Sequence, residues 1–132
     1  MQASGLAPQK GVAYFTYDFD KHGGAVGDIT VYGNGIPKGA LIDQGKVDVQ
    51  AAVTSSGSAT LAAKAVGSGD VLGSTGKASL TADAKLDAVP DGTASNAIRT
   101  TAAINSITVT VGTAALTAGK VVFALEYYRP RG

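Results

Sequence analysis

The chain has 132 residues, 11 of them basic and 10 acidic, with a formal net charge of +1 and no cysteine. That length suits one domain with a core of its own, and the missing thiols exclude a disulfide framework, a thiolate metal site and a cysteine nucleophile. The charges are scattered singly, which excludes the basic stripe of a nucleic-acid binder and the basic amphipathic helix of a membrane-surface protein.

Residues 1–10 (MQASGLAPQK) have no periodicity and neither the basic nor the apolar region of a secretory signal. They read as a flexible N-terminal arm on a chain synthesised in the cytoplasm. Within the arm, Leu6, Pro8 and Lys10 are the candidate partner contacts. Residues 11–132 are expected to form a single β domain. Residues 11–18 (GVAYFTYD) are its first strand, carrying Tyr14, Phe15 and Tyr17. Residues 21–24 are a loop, residues 28–32 (DITVY) a short strand that ends at Gly33-Asn34-Gly35, and Pro37 with Gly39 makes a turn into Ala40-Leu41-Ile42.

Residues 46–54 (KVDVQAAVT) alternate, residues 55–58 (SSGS) turn the chain, and residues 59–66 (ATLAAKAV) return, the pattern of a hairpin. Residues 73–83 are ambiguous between strand and turn, and residues 84–89 end at the Pro90-Asp91-Gly92 turn. The best-patterned stretch, and the clearest hairpin signal, comes last. Ile107, Val109 and Val111 alternate with threonines, and after a glycine-containing break Val121, Phe123, Leu125 and Tyr127 resume the period of two. Aromatic residues concentrate in the first strand and this last one, which predicts that the two are neighbours.

Turn signals every 8 to 12 residues or so and the lack of a helical period predict an all-β fold. The expected form is an antiparallel β-sandwich of roughly eight strands, jelly-roll-like. Eighteen glycines, well above the usual share of ~7%, fit many tight turns.

Catalytic chemistry is hard to assemble from this inventory. His22 is the single histidine, and its glycine neighbours place it on a solvated turn. No G-x-S-x-G elbow or phosphate-binding loop is present. Asp18, Asp20 and Asp28 bracket the His22 loop but do not match the twelve-residue calcium loop with its closing glutamate. Asp83 and Asp87 lie beside Lys85 on what reads as an exposed, charge-protected edge. No metal, cofactor or catalytic residue is assigned. Exposed rings on a sandwich can also stack on sugars, and Tyr14, Tyr17, Tyr32, Tyr127 and Tyr128 are the candidates, with core or interface packing as the competing use.

From Gly23 onward a series of motifs resembles a group of small tailed-phage and prophage virion proteins, over about four-fifths of the chain. Its carriers are GGAVGDITV (23–31), IPKGALI (36–42), GKVDVQAAVTSSGSATLA (45–62), GSGDVLGS (67–74), TTAAINSITVTVGTAALTAGK (100–120) and FALEYY (123–128). Each motif is ordinary turn and strand chemistry; their order carries the resemblance. It implies a virion structural protein on the capsid surface, of the decoration, cement or head-fibre type, with a jelly-roll body. It further implies a homotrimer that binds major capsid protein where capsomers meet, with no enzyme activity and no cofactor. No contact residues are carried over, and the arm lies outside the matched region. A host-surface or glycan-binding module on a phage fibre or tail, and a tail or neck subunit, remain open alternatives.

Overall fold

The computed structural model describes residues 9–129. Nine antiparallel strands dominate them: β1 (Gln9–Asp18), β2 (Gly27–Ile36), β3 (Leu41–Ser55), β4 (Thr60–Lys64), β5 (Leu72–Gly76), β6 (Lys85–Asp91), β7 (Ile98–Arg99), β8 (Ile104–Gly112) and β9 (Leu116–Arg129). A one-turn helix α1 (Phe19–His22) follows β1, and 3-10 turns lie at Lys77–Ser79 and Ala94–Asn96. No helix among the described residues is long and apolar enough to cross a membrane.

The strands run in the order β5-β4-β8-β2-β1-β9-β3-β6, with β7 beside β6 along the same edge of β3. Neighbouring strands share ladders of two or more pairs except at one place. β2 and β1 meet only at the pair Phe15–Gly33, so the sheet folds there into two leaves, β5-β4-β8-β2 and β1-β9-β3-β6/β7. Gly33 is required at that corner, because a Cβ on it would stand 2.2 Å from the Tyr14 carbonyl and 2.5 Å from the Phe15 ring. On the far side the leaves meet again, where the Val89 N–H of β6 donates to the Val71 carbonyl just ahead of β5 at 2.8 Å. The result is an all-β, jelly-roll-like sandwich, pinned along both flanks.

The core follows from the period of two. Ala13, Phe15 and Tyr17 of β1, Val47 and Val49 of β3, and Val121, Phe123 and Leu125 of β9 are fully buried from one leaf. Val31, Leu61, Ala63, Ile107, Val109 and Val111 face them from the other. As anticipated, β1 and β9 are neighbours: they pair from Gln9–Arg129 to Asp18–Lys120, and the buried Phe15 and Phe123 stand directly opposite each other.

Several connections differ from expectation. Strands β3 and β4 do not form a hairpin: β3 pairs with β9, β6 and β7, and β4 with β5 and β8. Residues 56–59 instead carry the chain across the core to the opposite leaf. Likewise β8 and β9 lie in different leaves, with Thr113 at φ 72 in the turn between them. An alternating strand buries the same side chains whether its successor lies beside it or across the core, so alternation alone does not choose.

Gly33-Asn34-Gly35 does not end β2. Asn34 sits in a bulge, and its side-chain amide takes the place of a strand neighbour, accepting from Tyr14 N–H at 2.6 Å and donating to the Val12 carbonyl at 3.3 Å. Leu41, Ile42 and residues 46–54 belong to one strand, β3, continued through a register shift around Asp43, with Ala40 just ahead of it. The first strand begins at Gln9, which places Lys10, assigned by sequence to the arm, opposite Tyr128 in the ladder.

Candidate interaction surface

The backbone alternation that fills the core also decides what faces outward. On β1 and β9 the outward set is Val12, Tyr14, Thr16 and Asp18 beside Glu126, Ala124, Val122 and Lys120. The partner leaf presents a different face, in which Thr30 pairs with Thr108, Asp28 with Thr110, and Thr110 in turn with Ala62 of β4. Small side chains predominate there, with Lys64 opposite Thr108 and Tyr32 beside the corner as the larger ones, and the Thr110 hydroxyl donates to Asp28 Oδ1 at 2.8 Å. Such a face can lie closely against a repeated neighbour.

The first leaf has more relief. Tyr14 is 55% and Tyr32 73% exposed, large values for rings of this size. They line one groove of about 490 Å³ together with Thr16, Asp18, Lys21, His22, Gln50, Lys120 and Val122. Tyr32 reaches it because it precedes Gly33, the one residue of β2 that pairs with β1. The far wall comes from α1. Asp18 caps that turn by accepting from Asp20 N–H at 3.0 Å, and His22 Nδ1 lies 3.1 Å from both the backbone nitrogen and the carbonyl of Asp18.

The His22 ring stacks on Tyr17, with centroids 5.7 Å apart. Tyr17 itself is fully buried and its hydroxyl donates to the Gly23 carbonyl at 2.5 Å. Burial, helped by the Asp18 charge, pushes the Tyr17 pKa up to about 12. His22 is thus held in a short helix and not on a free turn.

The sequence candidates separate accordingly. Leu6 and Pro8 lie outside the described residues, and Lys10 is an exposed member of β1. Of the five tyrosines, Tyr14 and Tyr32 share the groove, Tyr17 is core, and Tyr127 and Tyr128 are half-buried at the other end of the ladder. Asp18 and Asp28 serve different elements, and no cluster of three or more acidic or histidine side chains suited to a metal ion occurs among the described residues. Lys85 and Asp87 do lie on the edge strand β6, with Asp87 accepting from Lys46 Nζ at 2.6 Å between two exposed side chains. What sequence reasoning missed is the groove itself, because Tyr14, Tyr32 and Lys120 come from three strands and only register brings them together.

The ladder has two distinct poles. Gln9 stands opposite Arg129 at one, where the described chain begins and ends; Asp18 and Lys120 stand at the other, beside α1 and the groove. Ten residues of β1 separate the poles by about 30 Å.

This two-leaf β architecture is one found in phage capsids. A chain in the capsid asymmetric unit of cyanophage Pam1 matches with a TM-score of 0.69 and 18% identity, over 98% of this chain and 91% of that one. A chain of the acid-stable capsid of Helicobacter pylori bacteriophage KHP30 gives a TM-score of 0.60 at 13% identity, over 94% of both. One from the capsid of Ralstonia phage GP4 gives 0.59 at 16% identity, over 90% of this chain and 84% of that. No protein-family model and no curated protein sequence matches the chain.

Proposed function

We propose that this chain is a non-enzymatic structural protein of a bacteriophage virion, which decorates the capsid and stabilises it by binding the major capsid protein. The observation that carries the reading is the nearly mutual cover with capsid chains of three phages. Each matched chain is about as long as this one, so the likeness is between whole small proteins and not to one domain of a large shell subunit. The order of motifs from Gly23 to Tyr128 points the same way.

In this reading the protein is made in the host cytoplasm and acts on the capsid surface as a homo-oligomer, with a trimer favoured, and with neither nucleic acid nor membrane as a direct partner. The terminal pole, with Lys10, Tyr128 and Arg129, faces the shell, and the preceding segment with Leu6 and Pro8 supplies contacts there. A ligand that binds only the assembled lattice stabilises it by RT ln(1 + [L]/Kd). Cryo-electron microscopy of virions that carry the protein tests the reading: many ordered copies between capsomers support it, and copies confined to the tail or fibre tips overturn it. Deleting residues 1–8, which leaves β1 whole, weakens binding to empty shells while the β body stays folded. Undiminished binding by the shortened chain would remove the arm from the contact.

A further inference from the structure

We infer that the groove between Tyr14 and Tyr32 is a saccharide-binding site, and that it takes an oligosaccharide bearing carboxylate groups. The two rings are the starting point. An exposed tyrosine leaves apolar surface in water, and here two such rings, 55% and 73% exposed, border the same depression. Pyranose sugars offer apolar C–H faces that lie flat on such rings, while their hydroxyls need neighbours that both donate and accept. Thr16 of β1 and Gln50 of β3 do both, and both line the groove.

Charge narrows the class. Lys21 and Lys120 line the groove, and neither has a carboxylate within ion-pair distance among the described residues. The one acidic side chain there, Asp18, already accepts the Asp20 N–H as the cap of α1. Asp18 stands opposite Lys120 in the ladder, so the groove carries two ammonium groups against one carboxylate, a net positive charge that favours an anionic sugar over a neutral one. Besides α1, its lining residues come from four adjacent strands, β2, β1, β9 and β3, a span of about 14 Å that admits more than one sugar residue. The volume of about 490 Å³ falls among those of ordinary ligand sites, roughly 300–1,000 Å³.

Location adds a second argument. The groove sits at the pole opposite Gln9 and Arg129, so a molecule held by its terminal pole would present the groove outward. The binding site does not depend on that placement, and it can be tested on the chain alone.

The test is a nuclear magnetic resonance titration of the full chain with a panel of uronate- and sialate-containing tetrasaccharides, each beside its methyl-esterified, uncharged form. The expected result is saturable shifts confined to Tyr14, Thr16, Tyr32, Gln50 and their neighbours with at least one acidic member. Binding falls by about tenfold in Tyr14→Ala and in Tyr32→Ala, the factor one stacking contact is worth. The double variant Lys21→Gln, Lys120→Gln erases the preference for the acid over its ester. Both tyrosines are exposed, so the variants fold, and an unchanged spectrum of the core methyl groups verifies it. The proposal is overturned by no saturable shift across the panel, or by shifts that survive both tyrosine replacements. It is equally overturned if those replacements abolish shell binding while no sugar binds, which would make the groove a protein interface.

Discussion

Beside the Tyr17 phenol, Thr100 is the one buried polar side chain among the described residues, at 2% exposure, and replacing it by valine isolates what its hydroxyl does. The oxygen accepts from the Ala40 N–H at 2.9 Å and donates to the Pro37 carbonyl at 2.8 Å. The Thr100 backbone adds two bonds, its N–H to the Ala40 carbonyl at 2.9 Å and its carbonyl to the Gly39 N–H at 3.0 Å. Together they fasten the Pro37-to-Ala40 turn, and so the start of β3, to the end of β7. In Thr100→Val the backbone bonds remain, but the Ala40 N–H, on a residue with no exposure, has no partner. A buried amide left unmade costs about 1–3 kcal/mol, whereas the half-buried Pro37 carbonyl can turn to water. The added methyl returns up to about 0.8 kcal/mol. The expected net loss is about 1–2 kcal/mol, or roughly 4–7 °C in Tm for a chain of this size. Thr100→Ser keeps the hydroxyl and loses a methyl, so it should cost less than valine. Urea unfolding of the three proteins checks this order. A valine variant as stable as the parent, or more stable than serine, would refute the role given to the hydroxyl.

Three further outcomes are expected. Tyr17 keeps its proton more firmly in the folded chain, with a pKa of about 12, than in the unfolded one near 10. Its contribution is therefore complete below pH 10 and is lost as pH rises from 10 toward 12, by about 2–3 kcal/mol; urea midpoints of Tyr17→Phe should lack that part of the alkaline decline. Gly33→Ala forces a Cβ into the Tyr14 carbonyl and the Phe15 ring, and overpacking of this kind costs about 1–3 kcal/mol or more, visible as a lowered Tm. Asp70 accepts the backbone N–H groups of Ala65, Val66 and Gly67 at 2.7, 3.0 and 2.7 Å. Asp70→Ala should cost about 2 kcal/mol and speed amide hydrogen exchange at those three residues.

Strand content was legible wherever side chains alternate strictly, as in β1, β8 and β9, because burial on a sheet imposes that period. Partner choice was not. The pattern of residues 46–66 suits a hairpin and a crossing equally, and the crossing is fixed by interactions distant in sequence, such as Ser55 Oγ donating to the Ala115 carbonyl and Lys77 Nζ to the Ser55 carbonyl. Gly33-Asn34-Gly35 read as a terminator because its residue types favour turns; an amide side chain standing in for a strand neighbour leaves no periodic trace. Four-residue α1 is too short for a helical period. The groove was half legible: Tyr14 and Tyr32 were recognisable as rings that could meet a sugar, yet their adjacency depends on the single pair Phe15–Gly33.

The adjacency of Gln9 and Arg129 also sets how the molecule bears load. A force that draws those two residues apart opens the β1–β9 ladder like a zip, stressing one pair at a time. A force that pulls both in the same direction leaves the ladder unstressed along its length and passes into β3, which flanks β9 from Leu41 to Ser55. A tether that grips β1 and β9 side by side at this pole therefore holds the body firmly. One that grips them separately peels it.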